Sequence, residues 1–297
     1  MRKYTNIKII GLAAIIMFVG SGVVLGQNQI TGEWSATAKK GDKIQLNFER
    51  KSEHGRNQHG SSFDISELQG LNPADTANGR VSFRLAREAG TIECEGTFVN
   101  GRGSGTFRFV PDMGFVDAIR GRGFDMQTGQ WKNGSGQDTL EDRLFLAATL
   151  NITTALADDL RSANFPNLDF GDLVKASIFK IDGKFMSEMK ATGFPNLGME
   201  DLVKARIFKI DSEFVRRTRE MGFGTESFEN LVKFSIFKVT PEFLSELRTE
   251  GLNDLTSEDV VKLRIFKIDA AYVREARAAE PNITVEQLVQ KRIGVRR

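Results

Sequence analysis

The chain has 297 residues, 40% of them hydrophobic and 27% charged, which is enough apolar material for two packed units and excludes a wholly disordered chain. Its 41 basic and 39 acidic residues leave a formal charge of +2, so no global field points to nucleic acid or another polyanion. The single cysteine, Cys94, excludes an internal disulfide, and its alternating surroundings favour a small buried hydrophobe over a reactive thiol.

At the start, Arg2, Lys3 and Lys8 precede an apolar run from Ile9 to Leu25, and Val24-Leu25-Gly26 offers small or permissive residues before Gln27. That layout predicts a signal peptide over residues 1–26 and a secreted mature chain. The run also reaches the lower bound, about 17 to 25 residues, for an uncleaved membrane anchor, so contact with the membrane is otherwise only transient. An exported bacterial protein, periplasmic, extracellular or held at the envelope, is the expected location.

From Ile30 to about Val110 the pattern has period two. Ile44, Leu46 and Phe48 alternate with polar residues, as do Val81, Phe83 and Leu85, then Ile92, Cys94 and Phe98, then Phe107 and Phe109. Turn residues break the run at Gly41-Asp42, Asn72-Pro73, Asn78-Gly79, Ala89-Gly90 and Asn100-Gly101-Arg102-Gly103. About six antiparallel strands in a meander, closed as a small barrel or folded as a sandwich, are predicted for residues 27–111. Ser52 to Ser62 is polar, carries His54 and His59, and reads as an exposed loop.

Helical spacing begins at Asp112, where Phe115-Val116 and Gly123-Phe124 match Phe214-Val215 and Gly222-Phe223 further on. Residues 112–124 are therefore a half-unit, followed by a Gly-, Gln- and Asn-rich loop over 125–138. One phrase then returns at an interval of 29 residues, from Leu173 to Asp182, Leu202 to Asp211, Leu231 to Thr240 and Val260 to Asp269. A degenerate copy precedes it, with Leu144 aligned to Leu173 and Thr153 to Asp182. Five repeats over about 139–280 and a terminal half-unit at 284–293 fill the second part, 112–297. A fixed period of this length is the signature of a stacked array of helical hairpins, so the fold class is α+β in two parts, with an α-solenoid-like second part.

Within each unit, the first helix is predicted to open at Asp169, Gly198, Ser227, Thr256 or Thr284, with Asp172, Asp201, Asn230, Asp259 or Gln287 three residues later as in a capping box. The second opens at Thr153, Asp182, Asp211, Thr240 or Asp269 and closes at Asn164, Gly193, Gly222 or Gly251. Leu202, Ile207, Ile210, Phe214 and Phe223, with their equivalents, form the expected core set.

Two lysine columns run along the repeats: Lys175, Lys204, Lys233 and Lys262 in the first helix, and Lys180, Lys209, Lys238 and Lys267 at its end. As a stripe they offer a polyanion-binding or interaction surface. Glu200, Glu229 and Glu258 stand four residues before Lys204, Lys233 and Lys262, the favourable order for pairs on one exposed helix, and the second column complements the helix dipole.

Catalytic motifs are scarce. His54 and His59 have no zinc-peptidase spacing, no nucleophile elbow accompanies them, and Gly101-Arg102-Gly103-Ser104-Gly105 reads as a hairpin turn because no Lys-Ser or Lys-Thr follows. No catalytic residue, metal ligand or cofactor is assigned. A rival reading, an enzyme or a carbohydrate or small-ligand binder, places its site in the β part near His54, His59 and Arg102.

The segments Gly251 to Glu275 and Thr240 to Arg248 resemble the tandem repeats that follow bacterial membrane zinc metallopeptidases of the beta-lactamase sensor-transducer type, and are similar to stand-alone bacterial envelope proteins. The likeness covers roughly Asp112 to Ile293, and the peptidase motif is absent. Where copies in that family often carry a His-Gly pair, this chain has Phe208-Lys209 and Phe266-Lys267. The resemblance implies an accessory or recognition module of the cell envelope, with a link to signalling. The expected function is non-catalytic recognition of an unknown protein partner in the envelope, with polyanion binding through the lysines as a further alternative and no nucleic acid as partner.

Overall fold

Alternation of apolar and polar side chains becomes seven strands in one antiparallel sheet: β1 (Ile30–Lys39), β2 (Lys43–Ser52), β3 (Gly55–Asp64), β4 (Leu68–Gln69), β5 (Asn78–Arg87), β6 (Gly90–Val99) and β7 (Arg102–Pro111). The computed structural model describes residues 30–39, 41–52, 55–127, 139–194, 196–223 and 227–294, with the side chains of 51, 52 and 55–57 left aside. The expected signal peptide, His54 and residues 128–138 of the 125–138 loop lie outside them. No helix among the described residues is long and apolar enough to cross a membrane.

The strand order is β3-β2-β1-β7-β6-β5-β4. Two meanders thus join where β7 returns beside β1, and the result is one curled half-barrel with two edges, neither a closed barrel nor a two-layer sandwich. Residues 55–62 of the predicted Ser52–Ser62 loop lie in strand β3, paired with β2 from Lys43↔Asp64 to Ser52↔Gly55. It is an edge strand, and polar side chains at an edge discourage pairing with other chains, which is why the apolar signal is missing there. The β6–β7 turn is only Asn100-Gly101, both with positive φ (51° and 76°), so Gly103-Ser104-Gly105 belongs to β7 and not to the turn. Cys94 is buried in the sheet as a free thiol, and burial pushes its pKa up.

Helices occupy the rest: α1 (Met113–Arg120), α2 (Leu140–Thr149), α3 (Thr154–Ser162), α4 (Phe170–Phe179), α5 (Gly183–Ala191), α6 (Met199–Ile207), α7 (Ser212–Glu220), α8 (Phe228–Ile236), α9 (Pro241–Thr249), α10 (Ser257–Ile265), α11 (Ala270–Ala279) and α12 (Val285–Arg292). Side-chain oxygens of Asp169, Ser227, Thr256 and Thr284 accept from the third amide of α4, α8, α10 and α12, and those of Thr153, Asp182, Asp211, Thr240 and Asp269 do the same for α3, α5, α7, α9 and α11. At Gly198, which has no side chain, only the reverse half of the box forms, from its N–H to Asp201 at 3.1 Å.

Alternate helices pack together: α4 on α6, α6 on α8, α8 on α10 and α10 on α12 in one row, α1 on α3, α3 on α5 and α9 on α11 in another. Polar side chains stitch each row by reaching back to carbonyls at the end of the preceding helix, groups that have no partner in their own helix. In the first row Ser177 Oγ donates to the Leu150 carbonyl (2.7 Å), Ser235 Oγ to Phe208, Arg264 to Phe237 (2.8 Å) and Arg292 to Phe266 (3.3 Å). In the second Lys190 donates to Asn164 (3.1 Å), Arg219 to Thr192, Arg248 to Met221 (3.0 Å) and Arg277 to Glu250 (2.6 Å). A cation at a helix C-terminus also meets the negative end of its dipole.

Between sheet and helices sits α2. Phe145 stacks on Phe107 (5.3 Å, 4°) and meets Phe48, Phe109 and His59 edge-on. Arg50 pairs with Asp142, and the N-terminus of α3 donates to Glu88 at 2.8 Å. One apolar core therefore runs from Ile30 in β1 to Val232 in α8, and a second covers Met221 to Val289. The loop expected over 125–138 starts anchored: Met126 is buried and its carbonyl accepts from Arg143.

The expected core set needs two corrections. Leu202, Ile210 and Phe223 are buried, but Phe214 is only half-buried and Ile207 faces solvent. Leu202 and Ala205 are buried on the inner face of the first helix, as Leu173 and Ala176 are in the copy before, and this turns the isoleucine outward.

Candidate interaction surface

The lysine columns separate into two kinds. Lys175 lies 2.7 Å from Glu200, Lys204 2.9 Å from Glu229 and Lys262 3.3 Å from Glu286, each acid standing on the next helix of the row. Of the expected pairs within one helix only Glu258–Lys262 closes, at 3.9 Å, and Lys233 is exposed. The hydrogen bond that Lys204 donates to Glu229 raises its pKa, and the one that Lys262 donates to Glu286 does the same there. At Lys175 partial burial opposes the charge, and the bonds to Glu200 and Asp172 outweigh it. Three of the four lysines of this column, all but Lys233, thus form a neutralised seam between neighbouring helices.

Lys180, Lys209, Lys238 and Lys267 differ in backbone and in company. All four have left-handed φ, 55°, 54°, 53° and 51°. Each stands where the helix reverses out, followed by a residue whose N–H bonds back five positions: Ile181 to Ala176, Ile210 to Ala205, Val239 to Phe234 and Ile268 to Leu263, at 2.8–2.9 Å. Asn151 holds the same place after α2, with φ 53° and Ile152 bonded to Ala147. The second row ends in the same motif with glycine, at Gly222 and Gly251. At Gly222 an added Cβ would meet nothing within 4 Å, so glycine there answers to φ alone. The four lysines are exposed and join no ion pair among the described residues.

Replacing Lys209 by Gly is accordingly expected to stabilise the fold. A side chain in the left-handed region costs about 1–2 kcal/mol, glycine returns about 0.5–1 kcal/mol of that as chain entropy, and the lysine charge contributes about 0.3–1 kcal/mol at the helix end. At about 1 M salt the charge is screened, so urea unfolding should show a gain of about 0.5–1 kcal/mol there and less at low salt. A loss at high salt would contradict the strained-lysine account.

Two residues before each of these lysines an isoleucine is exposed: Ile178 51%, Ile207 52%, Ile236 47% and Ile265 46%, with Ile293 at 54% just after the last helix. The sequence reading put this column in the core. In each copy the residue two before the isoleucine, Ala176, Ala205, Phe234 or Leu263, is the buried one and takes the inner face instead.

In the β part, His59 is half-buried in β3 opposite Phe48, its ring 5.9 Å from Phe145. Arg102 is exposed and opens β7, opposite Thr37 of β1. With β2 and β1 between their strands, and strands about 4.8 Å apart, the two are not brought together. A cleft of about 510 Å³ on the sheet, where Arg108 pairs with Glu93, contains neither, and nor does one of about 430 Å³ between α5 and α7. Among the described residues no three His, Cys, Asp or Glu side chains gather as metal ligands. Comparison with protein-family models, curated proteins and solved structures finds no match to this chain.

Proposed function

We propose that this is an exported, non-catalytic recognition protein of the bacterial envelope, whose five helix pairs and two flanking single helices form a solenoid-like array that holds a protein partner. The observation that carries the reading is the exposed isoleucine column, Ile178, Ile207, Ile236 and Ile265 in α4, α6, α8 and α10, with Ile293 just after α12. Single exposed apolar residues are ordinary on a protein surface, whereas a line of them repeated by the architecture makes a continuous apolar strip. The resemblance to repeats of envelope sensor-transducers agrees with an accessory role in signalling. The separation of His59 from Arg102 weighs against an enzyme or sugar binder in the β part, and the glutamates on Lys175, Lys204 and Lys262 weigh against a polyanion binder that uses both lysine columns.

The test is capture from envelope extract by the chain from residue 27 onward, beside the quadruple variant Ile178→Ser, Ile207→Ser, Ile236→Ser and Ile265→Ser, with the contact mapped by cross-linking. A stoichiometric protein lost with the variant and cross-linked along this strip is the expected result. Equal capture by both chains would remove the strip from the function.

A further inference from the structure

We infer that the partner element is an acidic amphipathic helix, whose carboxylates meet the four left-handed lysines while its apolar residues lie on the isoleucines. The inference rests on the recognition reading above and adds the chemistry and spacing of what is recognised.

Charge is the first argument. Lysine stands four times where the same reverse turn elsewhere in this chain takes glycine or asparagine, so the backbone accepts an unfavourable φ at each place to hold an ammonium group there. No acid of the described residues neutralises these groups, although the other lysine column, on the same helices, is bridged at Lys175, Lys204 and Lys262. Four unneutralised cations beside four exposed isoleucines call for a partner that is negative and apolar on one face.

Spacing is the second. Helices packed side by side lie about 8–10 Å apart, so the rungs repeat at that distance. A helix laid across them advances about 10.5 Å in seven residues and returns to nearly the same face. An extended strand covers the same distance in about three residues, which turns its side chain to the opposite face. A helix of about four heptads, with one leucine per heptad flanked by glutamates, fits four rungs.

That peptide, labelled with fluorescein, is the probe, with the chain from residue 27 onward titrated by fluorescence anisotropy. Lys180→Gly, Lys209→Gly, Lys238→Gly and Lys267→Gly together should weaken binding about tenfold or more, and salt should weaken it further in the unchanged chain. Because glycine suits the left-handed turn, this variant stays folded, and its melting temperature confirms that. Lys175→Gln, Lys204→Gln and Lys262→Gln together should change binding less than about threefold, since those charges are already paired. Unchanged affinity of the glycine variant, or equal binding of a peptide with lysine for glutamate, overturns the inference. If the isoleucine variant loses the probe and the glycine variant keeps it, the apolar strip survives and the acidic partner does not. If polyphosphate binds the lysines as well as the peptide does, and indifferently to the isoleucine variant, a polyanion replaces the helix and the inference also falls.

Discussion

Phe145→Ala is expected to destabilise the chain by about 3–5 kcal/mol, and to loosen sheet and helices together. The ring is buried in α2 and carries four aromatic contacts, to Phe107, Phe48, Phe109 and His59, drawn from β2, β3 and β7. Truncation removes its transfer energy and leaves a cavity that strand backbones cannot collapse into, and it forfeits aromatic pairs worth about 0.5–1.5 kcal/mol each. Because one core continues from Ile30 to Val232, the loss is shared by the sheet and the helices through α8. With Trp131→Phe leaving Trp34 as the sole tryptophan, urea unfolding followed by circular dichroism and by fluorescence should show both midpoints falling together. A shift in the fluorescence alone would mean that the helices do not depend on the sheet. The same continuity makes the sheet a poor object for study by itself, since removing everything after residue 138 strips α2 from Phe48, Phe107 and Phe109.

Local signals were legible and non-local ones were not. Asp169, Asp182, Thr240 and Thr256 could be read as helix starts because a cap is a matter of three or four neighbouring residues. Strand alternation placed Ile44, Leu46, Phe48, Phe107 and Phe109 in the core for the same reason. The polar edge strand β3 gave no alternation to read. Glu200 and Glu229 follow the spacing rule for pairs within a helix, yet they bond the lysine 25 residues earlier, because stacked helices bring that charge equally near. Ile207 is misplaced because apolar spacing alone does not tell which of Ala205, Ile207 and Ile210 face inward, and it is Ala205 and Ile210 that are buried. The left-handed backbone of Lys180, Lys209, Lys238 and Lys267 had no sequence signal, lysine being an unusual occupant of that conformation. The candidate surface was thus half visible as a lysine column, and its apolar half was hidden in the expected core.

Gly105→Ala is expected to cost toward the upper end of about 1–3 kcal/mol, for a reason unlike that of a turn glycine. Its φ is not left-handed, but a Cβ would stand 1.9 Å from the Glu95 carbonyl oxygen and 2.6 Å from the Gly96 Cα. Both neighbours are backbone, so neither can rotate away. Gly105 pairs with Gly96 on one side and with Trp34 on the other, and a Cβ on Gly96 would meet the indole at 2.6 Å. The bare pair is what lets three central strands approach and the sheet curl around its core. Trp34 reports the damage directly, because its indole N–H donates to the same Glu95 carbonyl, at 3.1 Å, that the new methyl would displace. With Trp131→Phe removing the second tryptophan, Trp34 emission in Gly105→Ala should shift to the red in the folded protein, and its urea midpoint should fall. Gly101→Ala is the control: φ is +76° there and nothing lies within 4 Å, so only the left-handed penalty of about 1–2 kcal/mol applies and the emission of the folded state should stay put. If Gly105→Ala kept both the emission and the midpoint, the crowding of β1, β6 and β7 would not be what shapes the sheet.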